Sequence, residues 1–245
     1  MTKHLRALAG GALLAAAVLS SCGSSGSEGG KATTTTAAAS TTTTEATTSS
    51  TAASSTTTTA PSTEQPETAV WPFASGEQRF DDPVAAATSF AKDYLGMPAP
   101  VAGEFQQGDT RSGEVQIRPK AQGPVTTVLV RQVTSDDSWW VIGAATDSIR
   151  LDSPEALATI TSPVSLSGQS TAFEATVNVE VRQDGSTTPI GKGIVMGGSN
   201  GEMGPFTGSI DFADHTADRG AIVLLTYSAE DGSVQEAGVL RVALG

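Results

Sequence analysis

Cys22 is the only thiol in this sequence, and His4 and His215 are its only imidazoles. A single thiol cannot form a disulfide within the chain, so any fold must rest on its apolar core. One cysteine and one histidine beyond the N-terminal region cannot complete a zinc site of nitrogen and sulfur ligands. A Ser-His-Asp relay would have to be built on His215. Its neighbours Asp214, Ala217 and Asp218 are small or polar, which predicts an exposed loop. Carboxylates are the remaining reactive groups. Asp211, Asp214 and Asp218 cluster ahead of Gly220, but their spacing is not that of an EF-hand loop. A solvated loop is the expected reading, with calcium as the alternative. Paired acids for glycoside cleavage converge only in a fold, and short loops leave little room for a substrate cleft. The expectation is therefore no catalytic residue, no metal and no cofactor. Trp139 and Trp140 are the candidate binding residues. Neighbours on a strand point to opposite faces, so one indole would pack under a helix. The other would anchor a partner or a glycan, or fill a seam within the fold. Trp71 and Phe73 carry the same two readings, including a role in pinning the start of the fold to a sheet.

The position of Cys22 says more than its reactivity. It closes the string LLAAAVLSSC, behind Lys3 and Arg6 and an apolar run from Ala7 to Leu19. Charge first, an apolar run second and small residues at the cut is the layout of a secretory signal. The run is too short to span a bilayer comfortably. Leu19, Ser20, Ser21 and Cys22 resemble the lipobox of bacterial lipoproteins. The resemblance implies cleavage between Ser21 and Cys22 and a diacylglyceryl group on the Cys22 thiol. Each buried methylene contributes about 0.8 kcal/mol, so one acyl chain holds weakly and two hold firmly. The expected location is the extracytoplasmic face of the cell membrane, lipid-anchored.

The chain has a formal charge of −12, which becomes −14 once residues 1–21 are removed with Lys3 and Arg6. That balance disfavours nucleic acid, which needs a basic footprint, and direct grip on anionic headgroups. Residues 22–68 are rich in Ser, Thr, Ala and Gly, with runs such as Thr33–Thr36 and Thr56–Thr59. No large apolar side chain can seed a core there, so a disordered tether is expected, open to O-glycosylation. As a flexible coil it would reach roughly 40 Å.

Order should begin near Val70. Asp82 reads as an N-cap with Pro83 at the first helical position. Ala87, Phe90, Ala91 and Tyr94 then share one helical face, and Gly96 and Pro98 stop it. Strands are predicted over Gly113–Pro119, Val125–Val133 and Ser138–Ala145. One helix on an antiparallel meander is a small α+β domain, placed at residues 69–150. The pattern then changes to strands only. Phe173, Ala175, Val177, Val179 and Val181 alternate with polar residues and predict a half-buried strand. Further strands are expected at Pro189–Met196, Pro205–Phe212, Ala221–Ser228 and Val234–Leu244. Shorter runs lie near Ala158–Ile160 and Val164–Leu166. About seven strands between turn pairs is the arithmetic of an immunoglobulin-like β-sandwich, placed at residues 151–245.

Several short motifs in that half occur in a familiar order. They are Ser162-Pro163, Gly168, Ala172-Phe173-Glu174, Gly204-Pro205-Phe206 and Ser228-Ala229-Glu230-Asp231-Gly232. Over about residues 155–245 the sequence resembles the immunoglobulin-like domain of bacterial spore germination proteins. The resemblance implies a domain also found in cell-envelope lipoproteins. Residues 70–150 are similar to the module that precedes this sandwich in lipoproteins of high-GC Gram-positive bacteria. The functional expectation is a non-catalytic envelope lipoprotein with a binding or scaffolding role. Its partners would be the membrane, through the lipid, and an envelope protein or cell-wall polymer. Two alternatives are a carrier of a small apolar ligand, enclosed between helix and sheet, and an envelope hydrolase.

Overall fold

In the computed structural model, residues 64–245 are described. Ser21, Cys22, the signal and most of the tether lie outside them. The tether was expected to run to residue 68, but its last residues belong to the folded unit. Gln65 accepts from the Ala74 N–H at 2.6 Å and donates to the carbonyls of Ala69 and Pro72. Glu67 meets Arg219 at 3.0 Å. Composition hid this, because two polar side chains here serve as ties rather than as solvated chain.

The helix α1 spans Pro83–Ser89, with Asp82 accepting from the Ala85 N–H at 2.7 Å. Pro83 lacks the N–H that a first turn leaves unpaired in any case. The chain continues as a π-helical turn, Phe90–Tyr94, in which Leu95 N–H reaches back five residues to Phe90. The wider winding lays the Phe90 and Tyr94 rings 5.1 Å apart and nearly parallel. Ala87, Phe90, Ala91 and Tyr94, the face that the spacing predicts, are all buried, and Ala86 beside them is buried too. Gly96 ends the turn at φ +81°, a conformation that side chains resist.

Four strands follow as a meander: β1 Val101–Gln107, β2 Ser112–Arg118, β3 Thr126–Gln132 and β4 Trp139–Ala145. β1 has no sequence signature. It is a mostly exposed edge strand with a register shift between Ala102 and Phe105, so no apolar alternation marks it. The remaining strands are β5 Ile149–Ser153, β6 Thr159–Ile160, β7 Val164–Ser170, β8 Thr176–Gln183, β9 Gly191–Met196, β10 Gly204–Ile210, β11 Arg219–Tyr227 and β12 Val234–Leu244.

These strands make two sheets. The larger runs β1-β2-β3-β4-β12-β11-β8-β9, with β6 parallel beside β12; the smaller runs β10-β7-β5. The larger sheet crosses the division expected between residues 150 and 151. β4 pairs with β12 at Ala144 and Val239, and β5 itself spans residues 149–153. One hydrogen-bonded sheet therefore serves both the α+β layer and the sandwich. β11 shows how. Ala221, Val223 and Leu225 face the core under the helix, while Ile222 and Leu224 face the core between the sheets. A strand buried on both faces reads as a continuous apolar run rather than an alternation.

β8 departs from the expected strand at its start. Phe173–Ala175 is a 3₁₀ turn, and Phe173 is 67% exposed instead of facing inward. Glu174 and Ala175 take positive φ values of 54° and 60°, which breaks the alternation two residues before β8 begins. The opposite face of β8 is not solvated either. Glu180 and Arg182 are buried against the end of the helix, where Arg182 donates to the Tyr94 carbonyl. Val177, Val179 and Val181 are fully buried, as predicted.

Candidate functional site

At one end of the sandwich the apolar core gives way to polar side chains. Ile222 and Leu224 face the space between the sheets, and the period of two places Thr226 on that face. Glu236 stands opposite Thr226 in the β11–β12 register and shares its side. Both are buried. Glu236 Oε1 accepts hydrogen bonds from Thr146 Oγ1 and from Ser148 Oγ, the latter at 3.1 Å. Thr226 Oγ1 is buried with no hydrogen-bond partner among the described residues.

Above this pair opens a groove of about 480 Å³. Its walls are the turn between β2 and β3 at residues 120–124, the approach to β8 at Ala172 and Phe173, and the β11–β12 hairpin. The hairpin wall is held by its own turn. Gly232 takes φ +71° and donates to the Ser228 carbonyl. Asp231 accepts from the Ser233 hydroxyl and N–H, which hold its pKa down to about 2. Phe173 is held outward by two consecutive non-glycine residues at positive φ, each costing about 1 kcal/mol or more. Tyr227 lies on the rim, its phenol pushed up first by burial and then by Glu180.

Two buried carboxylates exist among the described residues, and their surroundings differ. Glu180 bonds Arg182 and lies 3.3 Å from Lys192. Among the described residues, Glu236 meets only hydroxyls, with no cation beside it. The Glu180–Arg182 pair is structural. The Arg182 guanidinium sits 4.8 Å over the Tyr94 ring, a cation at the helix C-terminus. Tyr94 is pushed up to about 12, by burial above all, with Arg182 pulling the other way. Arg241 forms a second anchor, binding Asp184 through both carboxylate oxygens and the Glu67 carbonyl at 3.0 Å.

The residues singled out by sequence are dispersed. Trp140 is 2% exposed, packed with Ala69 and Ala74 under Arg79 and donating to Thr134. Trp139 is half-buried, 5.2 Å edge-on from Phe105 at the core's margin. Trp140 is covered by the segment carrying Ala69 and Ala74, whereas Trp139 keeps part of its surface open beside Phe105. Trp71 pins the start of the fold, bridging to Val141 on β4. Phe73 packs edge-on against Trp71 at 4.9 Å.

His215 donates from Nδ1 to the Ala217 carbonyl at 2.9 Å, and no carboxylate among the described residues hydrogen-bonds it. Nearby Ser162 accepts from the Phe212 N–H. Neither a G-x-S-x-G elbow nor an S-x-x-K motif is expected from the sequence, but both spacings occur in it. Gly197-Gly198-Ser199-Asn200-Gly201 fits G-x-S-x-G, but it links β9 to β10 and no helix follows, as a nucleophile elbow requires. Ser89-Phe90-Ala91-Lys92 fits S-x-x-K. There the Ser89 hydroxyl donates to Asp93 and accepts from the Trp71 indole. Among the described residues, no group of three or more His, Cys, Asp or Glu side chains is placed to hold a metal, Asp211, Asp214 and Asp218 included. The space between helix and sheet is filled by Phe90, Tyr94 and Met97, which are buried there with Val115 and Val128.

The sandwich and its motifs agree with one family model. Residues 148–233 match the immunoglobulin-like domain of bacterial spore germination. The immunoglobulin-like domain so defined begins with Ser148, beside Glu236, and takes in β5 to β11. It ends just before β12, the strand that joins the sandwich to the meander. Neither a curated protein nor a solved structure matches the chain. The groove residues Glu236, Thr226 and Phe173 escaped sequence reasoning. The available signal was Thr226 itself, a polar residue continuing the inward alternation of Ile222 and Leu224.

Proposed function

We propose that this chain is a non-catalytic envelope lipoprotein, anchored through Cys22 and presenting a binding or scaffolding surface outside the membrane. The observation that carries the reading is the immunoglobulin-like domain at residues 148–233, described for bacterial spore germination. It stands on the same chain as a lipobox-like LSSC behind a signal-like leader. The fold itself does not dictate a ligand, so the surface's partner is argued from chemistry: an envelope protein or a cell-wall polymer. The acidic balance of the chain favours partners other than nucleic acid.

The test is lipid labelling with mass analysis of the N-terminus in a bacterial host. The wild-type chain should begin at Cys22 and carry the mass of a diacylglyceryl group, and Cys22→Ala should take up no labelled palmitate. A mature N-terminus elsewhere, or label retained in Cys22→Ala, would refute the anchor.

A further inference from the structure

We infer that the groove at the end of the sandwich binds a primary alkylammonium group of the kind a lysine-type side chain presents. This deepens the binding role proposed above and rests on it. Glu236 is a buried carboxylate whose partners among the described residues are two hydroxyls and no cation. A buried charge is costly unless it is paired, and the other buried carboxylate, Glu180, is paired twice. Both hydrogen bonds to Glu236 fall on Oε1, which leaves Oε2 to accept from a ligand. Thr226 Oγ1, opposite it in the ladder, is buried and unpartnered. An ammonium carries three donors and no acceptor, so a carboxylate oxygen and a hydroxyl oxygen side by side suit it. The hydroxyl has acceptor capacity to give.

The rim suits the stem that follows such a head group. Phe173 is held outward by a strained turn at the rim of the groove. Aromatic faces take both an aliphatic stem and a cation. Lys120, the one basic residue of the groove, is held 3.4 Å from Glu230 at the exposed rim, so its charge is offset there. A free phosphate or a carboxylate ligand would meet Glu236 with like charge.

The test is calorimetric titration and amide chemical-shift mapping of the detergent-solubilised full chain with three probes. Nα-acetyl-lysine-N-methylamide presents the ammonium on a peptide, and 1,5-diaminopentane presents it free. Nα-acetyl-norleucine-N-methylamide presents the stem without the charge. The lysine probe should shift the amides of Thr226, Glu236 and Phe173. The norleucine probe should bind at least about ten-fold more weakly, as should the lysine probe to Glu236→Gln. Phe173→Ala should weaken binding about two- to five-fold. The order of the lysine probe and the diamine tells whether the site reads a lysine on a chain or a free amine; both orders support the ammonium site. Equal binding of the norleucine probe would overturn it, as would no shift at these residues up to about 50 mM probe. If Glu236→Gln fails to fold, Phe173→Ala decides, since its ring is exposed; unchanged affinity there overturns the site. Any of these failures leaves the Cys22 labelling result standing, so the two readings fail separately.

Discussion

Substituting Ile222 by Ala asks whether the meander and the sandwich melt as one body. Ile222 is fully buried on β11 and faces the core between the two sheets, away from the helix. Removing its outer carbons forfeits about 0.8 kcal/mol per methylene-sized group, and the cavity left behind adds to this, for a total of about 3 kcal/mol. For a folded unit of this size each kcal/mol moves Tm by about 2–4 °C, so the expected fall is about 6–12 °C. The readout is built into the chain. All three tryptophans, Trp71, Trp139 and Trp140, lie in the meander half, so indole fluorescence follows that half alone. Far-UV circular dichroism follows both. Because β4 pairs with β12 and β11 feeds both cores, the fluorescence and dichroism midpoints should fall together in Ile222→Ala. A fluorescence transition left at the wild-type temperature while the dichroism splits would refute the shared-sheet reasoning.

Two further outcomes follow from the buried charges. Arg182→Met should cost about 3 kcal/mol in urea unfolding, because it leaves Glu180 buried with only Lys192 nearby. The double variant with Glu180→Gln should recover much of that loss, and a single-variant cost below about 1 kcal/mol would contradict the pairing. Tyr94 keeps its proton in the fold up to about 12, whereas an unfolded tyrosine loses it near 10. Its contribution is thus fully present below about pH 10 and is lost as pH rises toward 12, up to about 2–3 kcal/mol. Urea midpoints across that range should fall more steeply for the wild type than for Tyr94→Phe, and equal slopes would sink the assignment.

Much of the fold was legible because local rules and tertiary packing agree. Asp82-Pro83 sets the helix start, and the spacing from Ala87 to Tyr94 sets its buried face. The strands from Gly113 to Ala145 carry turns where their composition demands them. Legibility failed where pairing rather than pattern decides. β1 is an exposed edge strand without alternation. The stretch Phe173–Ala175 alternates like a strand yet turns, because Glu174 and Ala175 take left-handed φ values that only the surrounding chain can impose.

The sequence by itself determined what depends on neighbours along the chain: a signal-like leader ending just ahead of Cys22, a Ser/Thr-rich segment behind it, a capped helix and a set of short strands. Tertiary structure alone decided which strands share a sheet. It merged two expected domains through Ala144 and Val239 and buried both faces of β11. It also covered Trp140, and it set Glu236 opposite Thr226 beneath Phe173. The physical reason is range. Caps, turns and periodicity act within a few residues, whereas register and burial are fixed by contacts between segments far apart in the chain. Thr146 and Glu236, the two ends of a single hydrogen bond, lie 90 positions apart in the chain.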